Sequence, residues 1–236
     1  MKKNIIILLT IISMNSFGQD HYISLTFGLT KPLANFGGSS DPDSKGFALS
    51  GFAGDYSGAY FLTDYFGIGG DIKFTSNTLN ETKLKDRLDE QLPPEFSGDL
   101  EYTYTLGIWK QVALLVGPQL TIPSDNLTLD IYALAGPNFV MTPDFEINAQ
   151  VDETEFNRRL LSQDVSFGVD LGIGIRYHLS ELYSVRIYSS YFISKAKGEI
   201  IKETLEENEE LPVVEKTNFS LPIQSLNIGI GIVYRL

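Results

Sequence analysis

Residues 165–179, VSFGVDLGIGIRYHL, alternate between two kinds of position. Val165, Phe167, Val169, Leu171, Ile173, Ile175, Tyr177 and Leu179 share one parity, and Ser166, Gly168, Asp170, Gly172, Gly174, Arg176 and His178 share the other. Successive side chains of a strand point to opposite faces, so this run predicts a strand with one apolar face and one small or polar face. Six more runs repeat the pattern: Tyr22–Thr30, Phe66–Thr75, Val112–Ile122, Leu127–Asn138, Tyr183–Ile193 and Leu226–Leu236. An eighth, Gly46–Leu62, has mixed parity, and its Gly51, Gly54 and Gly58 predict a bulge that shifts the register.

The connections alternate in length. Thr63–Asp64–Tyr65, Pro123–Ser124–Asp125–Asn126 and Ser180–Glu181 are short, whereas 31–45, 77–101, 143–163 and 195–220 are long. Short turns at one end and long loops at the other mark a transmembrane β-barrel. The small-and-polar face is too rich in glycine for the outside of a soluble barrel, which favours Lys, Glu and Thr. Tyr22, Tyr177, Tyr183 and Tyr234 lie near strand ends, and we read all four as part of an interfacial aromatic girdle. The apolar face therefore meets lipid and the polar face fills a narrow lumen. The fold class is all-β: an eight-stranded antiparallel up-and-down transmembrane β-barrel with short periplasmic turns and long extracellular loops.

Composition narrows this further. The 236 residues include no cysteine and only two histidines, which excludes disulfides, Cys-ligated metals and a His-rich metal centre. A formal net charge of −12 argues against a nucleic-acid partner. Lys2 and Lys3 precede an apolar segment, Ile5 to Met14, with Ser16 and Gly18 set for cleavage after Gly18. Residues 1–18 thus read as an export signal, and residues 19–236 as the barrel domain.

With "GVDLGIGIRYHLS", the paired "VGPQLTIP" and "LAGPNFV" runs and the closing "LNIGIGIVYRL", the whole mature chain resembles the outer membrane protein beta-barrel family, the small OmpA/OmpX-like barrels of Gram-negative bacteria. The resemblance implies a place in the cell outer membrane. It implies contact with outer-membrane lipid and lipopolysaccharide, and dealings with the barrel assembly machinery and periplasmic chaperones during biogenesis. No cofactor is implied. The chain departs from the family in ending on Leu236 rather than an aromatic, and Tyr234 on the same face is the substitute.

The long loops carry most of the excess negative charge. Leu84, Leu88 and Leu92 recur at spacing four ahead of Pro93–Pro94 and predict a short amphipathic helix, and 151–161 predicts a second one. The 199–216 stretch is strongly acidic, and is read as a solvated loop before it is read as a recognition surface. His178, Ser180 and Glu181 have the residue types of nucleophilic catalysis, but they sit at a short turn on the periplasmic side. The simpler reading is a lumen-facing His beside a turn Ser. Residues 41–46, DPDSKG, lack the ligands of a calcium loop at the fifth and twelfth places, Lys45 and Phe52. The informative set is interior charge: Asp71, Lys73, Asp130, Asp170, Arg176, Arg186 and Arg235. Charges in a lumen are paired or hydrated. Counting from the short turns, Asp130 is expected either to bridge Arg176 and Arg186 and so help plug the barrel, or to be solvated, like each of them, by lumen water. No catalytic, cofactor or metal site is expected. The function expected is that of a non-enzymatic surface protein, with acidic loops for adhesion or ligand recognition. The alternatives are a lipid-modifying barrel enzyme and a narrow channel.

Overall fold

The computed structural model describes residues 21–38, 46–83, 102–143, 145–151, 154–161, 163–205 and 213–236. Eleven strands follow in chain order: β1 (Tyr22–Pro32), β2 (Gly51–Phe61), β3 (Phe66–Thr78), β4 (Tyr102–Leu106), β5 (Ile108–Ser124), β6 (Leu127–Met141), β7 (Phe145–Val151), β8 (Thr154–Leu161), β9 (Gln163–His178), β10 (Tyr183–Leu205) and β11 (Val213–Arg235). Eight of them close a ring, β1-β2-β3-β5-β6-β9-β10-β11, through antiparallel pairing of β11 with both β10 and β1. Closure leaves the ring without an edge strand, as strands that cross a membrane require.

The stagger of the ring can be followed along its ladders. Ile23 pairs with Gly58, then in turn come Gly70, Val116, Ala135, Val169, Ile193 and Gln224. Gln224 O accepts the N–H of Leu33, ten residues beyond Ile23. A shear of ten with eight strands sets a tilt of about 40° and an interior just wide enough for side chains to fill.

The two faces separate as the alternation requires. Leu25, Phe27, Leu29, Phe74, Val116, Leu120, Phe167, Ile173, Ile187, Ile230 and Ile232 are exposed on the outside. Ser24, Thr26, Asp71, Lys73, Gln119, Asp130, Asn138, Asp170, Arg176 and Asn227 are buried inside. The lumen is therefore the core of this molecule, and the apolar wall is its surface.

Several expectations are corrected. Tyr22 shares the inward parity of Ser24 and Thr26 and is 2% exposed, so it lies in the lumen; Tyr177, Tyr183 and Tyr234 stand outside as a girdle requires. Strand β2 holds one register with β1 and one with β3 along its length, so there is no bulge in it. Gly58 is there because its outward Cβ would press on Tyr22 O of β1. Residues 154–161 form a strand, not a helix, paired in a hairpin with β7. Most of the 195–220 loop is likewise strand: β10 and β11 run on together to Thr204↔Val213. Beyond the barrel β8 takes the place of β9 beside β10, and β7 and β4 follow, extending the sheet from the long-loop end. The expected helix at Leu84–Leu92 and most of the DPDSKG turn lie outside the described residues.

Candidate functional site

The site is the filled lumen, and ladder register determines which side chains meet in it. At the short-turn end, Thr121 of β5 faces Asp130 of β6, and Thr128 of β6 faces Arg176 of β9. The Arg176 guanidinium donates from Nε to Asp130 Oδ2 at 2.8 Å and from Nη2 to Asp130 Oδ1 at 2.9 Å. Thr121 Oγ1 donates to Asp130 Oδ1 at 2.9 Å and accepts from Arg176 Nη2 at 3.0 Å. The guanidinium also lies 4.3 Å from the centre of the Tyr22 ring, a cation–π contact. Asp130 and Arg176 are buried, and a planar fork on a carboxylate is the pairing that best offsets the desolvation of both ions.

Arg186 does not join them. It sits directly across from Arg176 in the β9–β10 ladder, and both oxygens of Asp130 are already committed to that first arginine. Arg186 Nη1 donates to Ser57 Oγ at 3.0 Å, with the rings of Tyr22, Tyr132 and Tyr188 at 5.8, 5.5 and 5.9 Å. The expected three-way bridge is thus one bidentate pair plus a guanidinium in a cage of tyrosines.

Higher in the lumen a second cluster surrounds Lys73. Its Nζ is 2.9 Å from Asp55 Oδ1, 3.2 Å from Asp170 Oδ2 and 3.7 Å from Asp71 Oδ2. Asp55 is the cross-strand neighbour of Lys73, and Thr26, next in the same row, donates to Asp55 Oδ2 at 3.2 Å. Lys73 Nζ also reaches Ser190 Oγ at 3.4 Å. Three carboxylates around one ammonium leave a formal excess of negative charge, and Arg186 lines the same small cavity as Asp55 and Asp71. Asp55 and Tyr22 are the members that sequence reading missed; Tyr132 and Tyr188 share the polar parity of Asp130 and Arg186 but carry no charge to single them out. Asp55 was hidden by the mixed parity of its segment, although Ala53, Ser57 and Ala59 share its face.

Large inward side chains stand beside glycines on adjacent strands. Tyr132 pairs with Gly172, and a Cβ on Gly172 would run into the Tyr132 ring. Tyr188 has Gly174 on one side and Gly229 on the other. The space that remains among Tyr22, Asp55, Asp71, Gln119, Tyr132 and Arg186 is a cavity of about 10 Å³, the size of one water.

An apolar cluster lies on either side of the charges. Tyr22, Ala59, Phe61 and Val233 pack together at the short-turn end. At the other end a one-turn 3-10 segment, Ala34–Gly37, brings Phe36 into a cluster with Trp109, Val140, Ala196, Leu221 and Ile223. Trp109 meets Phe36 edge-on at 5.4 Å and donates from Nε1 to Gly46 O at 3.0 Å. Gly38 ends the 3-10 segment with φ +80, a conformation open to glycine and costly for residues with a Cβ.

His178 points inward at the short-turn rim. Its Nε2 is 2.8 Å from Thr128 Oγ1, and its Nδ1 is 2.8 Å from Ser184 Oγ and 2.9 Å from Arg235 Nη2. An arginine only donates, so Nδ1 accepts and Nε2 carries the proton. Ser180 is occupied elsewhere, accepting the N–H of Tyr183 in the turn. The residues suspected of catalysis are thus not assembled into a triad. Among the described residues no group of His, Cys, Asp and Glu is arranged to hold a metal ion.

Among solved structures, the outer membrane protein OprG from Pseudomonas aeruginosa matches over 92% of this chain and 95% of its own, at 14% identity and a TM-score of 0.55. Neisserial surface protein A matches over 92% and 97%, at 10% identity and a TM-score of 0.44. Ail, the attachment invasion locus protein of Yersinia pestis, matches over 92% and 99%, at 13% identity and a TM-score of 0.39. At these identities OprG testifies to the fold alone. No curated protein matches the sequence. The family model described as outer membrane protein beta-barrel domain matches residues 5–235. With its closed ring, apolar outer wall and polar lumen, the chain belongs to the outer membrane protein beta-barrel domain family.

Proposed function

We propose that the protein is a closed, non-enzymatic barrel that strengthens the outer membrane and displays a sheet at the cell surface for recognition. The observation that carries this reading is the filled lumen. Arg176–Asp130, the tyrosine-caged Arg186 and the Lys73 cluster are stacked along the lumen between two apolar clusters, and the cavity among Tyr22, Asp55, Asp71 and Arg186 holds only about 10 Å³. A diffusion path would have to break buried ion pairs, and doing so costs several kcal/mol, about 3–5 for each pair broken. The surface role is supported by the sheet that β10, β11, β8, β7 and β4 extend past the barrel at the long-loop end. Residues 1–18 act as the cleaved export signal, after which the chain is a client of periplasmic chaperones and the barrel assembly machinery.

The test is electrical. The refolded protein, added to planar lipid bilayers, leaves the current at the leak of the bare membrane. Regular current steps of uniform size would refute the closed lumen and make the narrow channel the better reading.

A further inference from the structure

The chain has a formal net charge of −12, yet among the described residues the outward charges at the long-loop edge of its apolar wall are lysines. On β1 the outward series Ile23, Leu25, Phe27, Leu29 ends at Lys31. On β5 the series Ile122, Leu120, Val116, Leu114, Val112 reaches Lys110, with Ile108 one outward position beyond it. On β10 the series Tyr183, Ile187, Tyr191, Ile193 gives way to Lys195, with Lys197 one outward position further on. Lys31, Lys110 and Lys195 are exposed, and among the described residues no carboxylate pairs with any of these three. The opposite, short-turn edge exposes Asp64, Asp125 and Glu181.

The ring geometry brings the three lysines to one level. With a rise of about 3.3 Å per residue, strands about 4.8 Å apart and a tilt of about 40°, their Cα atoms agree in height to within about 5 Å. They stand roughly 25–30 Å above Tyr177, Tyr183 and Tyr234, which matches the apolar band of about 25 Å expected of an outer-membrane barrel. They also divide the circumference into three roughly equal arcs.

We propose that Lys31, Lys110 and Lys195 form a collar that binds the phosphate groups of phosphorylated lipids in the outer leaflet. Each side chain can lay its methylene stem on the apolar wall and lift its ammonium to headgroup level. An ammonium is a compact point charge suited to phosphate. A surface selected only for solubility would mix both signs at this level. The occupant is lipid rather than protein because no single partner face reaches three sites on three sides of the ring, whereas an annulus of lipid meets all of them. The proposal rests on the orientation of the barrel and not on whether the lumen conducts, so the bilayer-current test and the one below fail independently.

The experiment compares three proteins in phosphatidylcholine nanodiscs that contain bisphosphorylated lipid A or its dephosphorylated form, with bound lipid counted by native mass spectrometry. The proteins are the wild type, Lys31→Gln/Lys110→Gln/Lys195→Gln, and the corresponding triple Arg variant. Heat-modifiable gel mobility first establishes that each is folded. The wild type retains the phosphorylated form about tenfold over the dephosphorylated one, the Gln variant loses that preference, and the Arg variant keeps it. Equal retention of both forms by the wild type, or an undiminished preference in the Gln variant, would overturn the collar.

Discussion

Replacing Asp130 with Ala removes the acceptor of two guanidinium hydrogen bonds and of the Thr121 hydroxyl while leaving Arg176 1% exposed. Breaking a buried ion pair by deleting one partner costs about 3–5 kcal/mol, because the remaining charge is uncompensated. Part of the environment of Arg176 survives: Thr121 Oγ1 still accepts from Nη2, and the Tyr22 ring still faces the guanidinium at 4.3 Å. That cation–π contact is worth about 0.5–2 kcal/mol, so the lower half of the range applies, about 3 kcal/mol. The double variant Asp130→Ala/Arg176→Leu removes the stranded charge as well. It should regain most of the loss, about 2 kcal/mol, instead of adding the cost of the second change to the first. The assay is equilibrium urea unfolding in lipid vesicles, followed by the fluorescence of Trp109, the only tryptophan of the chain. A loss under about 1 kcal/mol for Asp130→Ala, or a double variant equal to the sum of its two singles, would refute the reasoning that this pair holds the lower lumen together.

Three further outcomes follow from the same geometry. Phe36→Ala empties the middle of the upper apolar cluster, so it should destabilise by about 3–5 kcal/mol and alter the emission of Trp109, which Phe36 meets edge-on. An unchanged spectrum would mean that the cluster does not form. Gly172→Ala forces the Tyr132 ring aside and should cost about 1–3 kcal/mol, and adding Tyr132→Ala should make the change at 172 nearly neutral. Non-interacting effects in thermal unfolding would count against that contact. In a washed outer-membrane fraction the unboiled protein should run ahead of the boiled protein on an SDS gel, because a closed ring resists SDS until heated; a single unshifted band in the soluble periplasmic fraction would contradict the membrane assignment.

Parity along each strand is a local property, and the sequence by itself determined it. Val165 to Leu179 outside and Ser166 to His178 inside could be read without any partner strand, as could the short turns that order the ring. Parity also assigns Tyr22 correctly once it is counted with Ser24 and Thr26; grouping it with the girdle tyrosines by position near a strand end ignored that count. The strand extensions to Leu205 and from Val213 were not legible, because acidic residues outside the membrane need no two-residue apolar period to pair. Nor could the 154–161 strand be told from a helix, since β7 and β10 beside it supply the pairing that a local pattern lacks.

Which lumen charges meet was a question only the tertiary structure could decide. A partner across the lumen depends on every ladder register between the two strands, and together these amount to a shear of ten residues around the ring. Counting from the turns placed Asp130 near both Arg176 and Arg186. It could not foresee that one guanidinium would take the carboxylate in a bidentate pair and the other would turn to Ser57 and three tyrosine rings. The same holds for Lys73 and Asp170, which lie on strands that no local pattern connects. Sequence dictates the facing of each side chain because that needs only a pleat, and the fold selects its partners because that needs the closed ring.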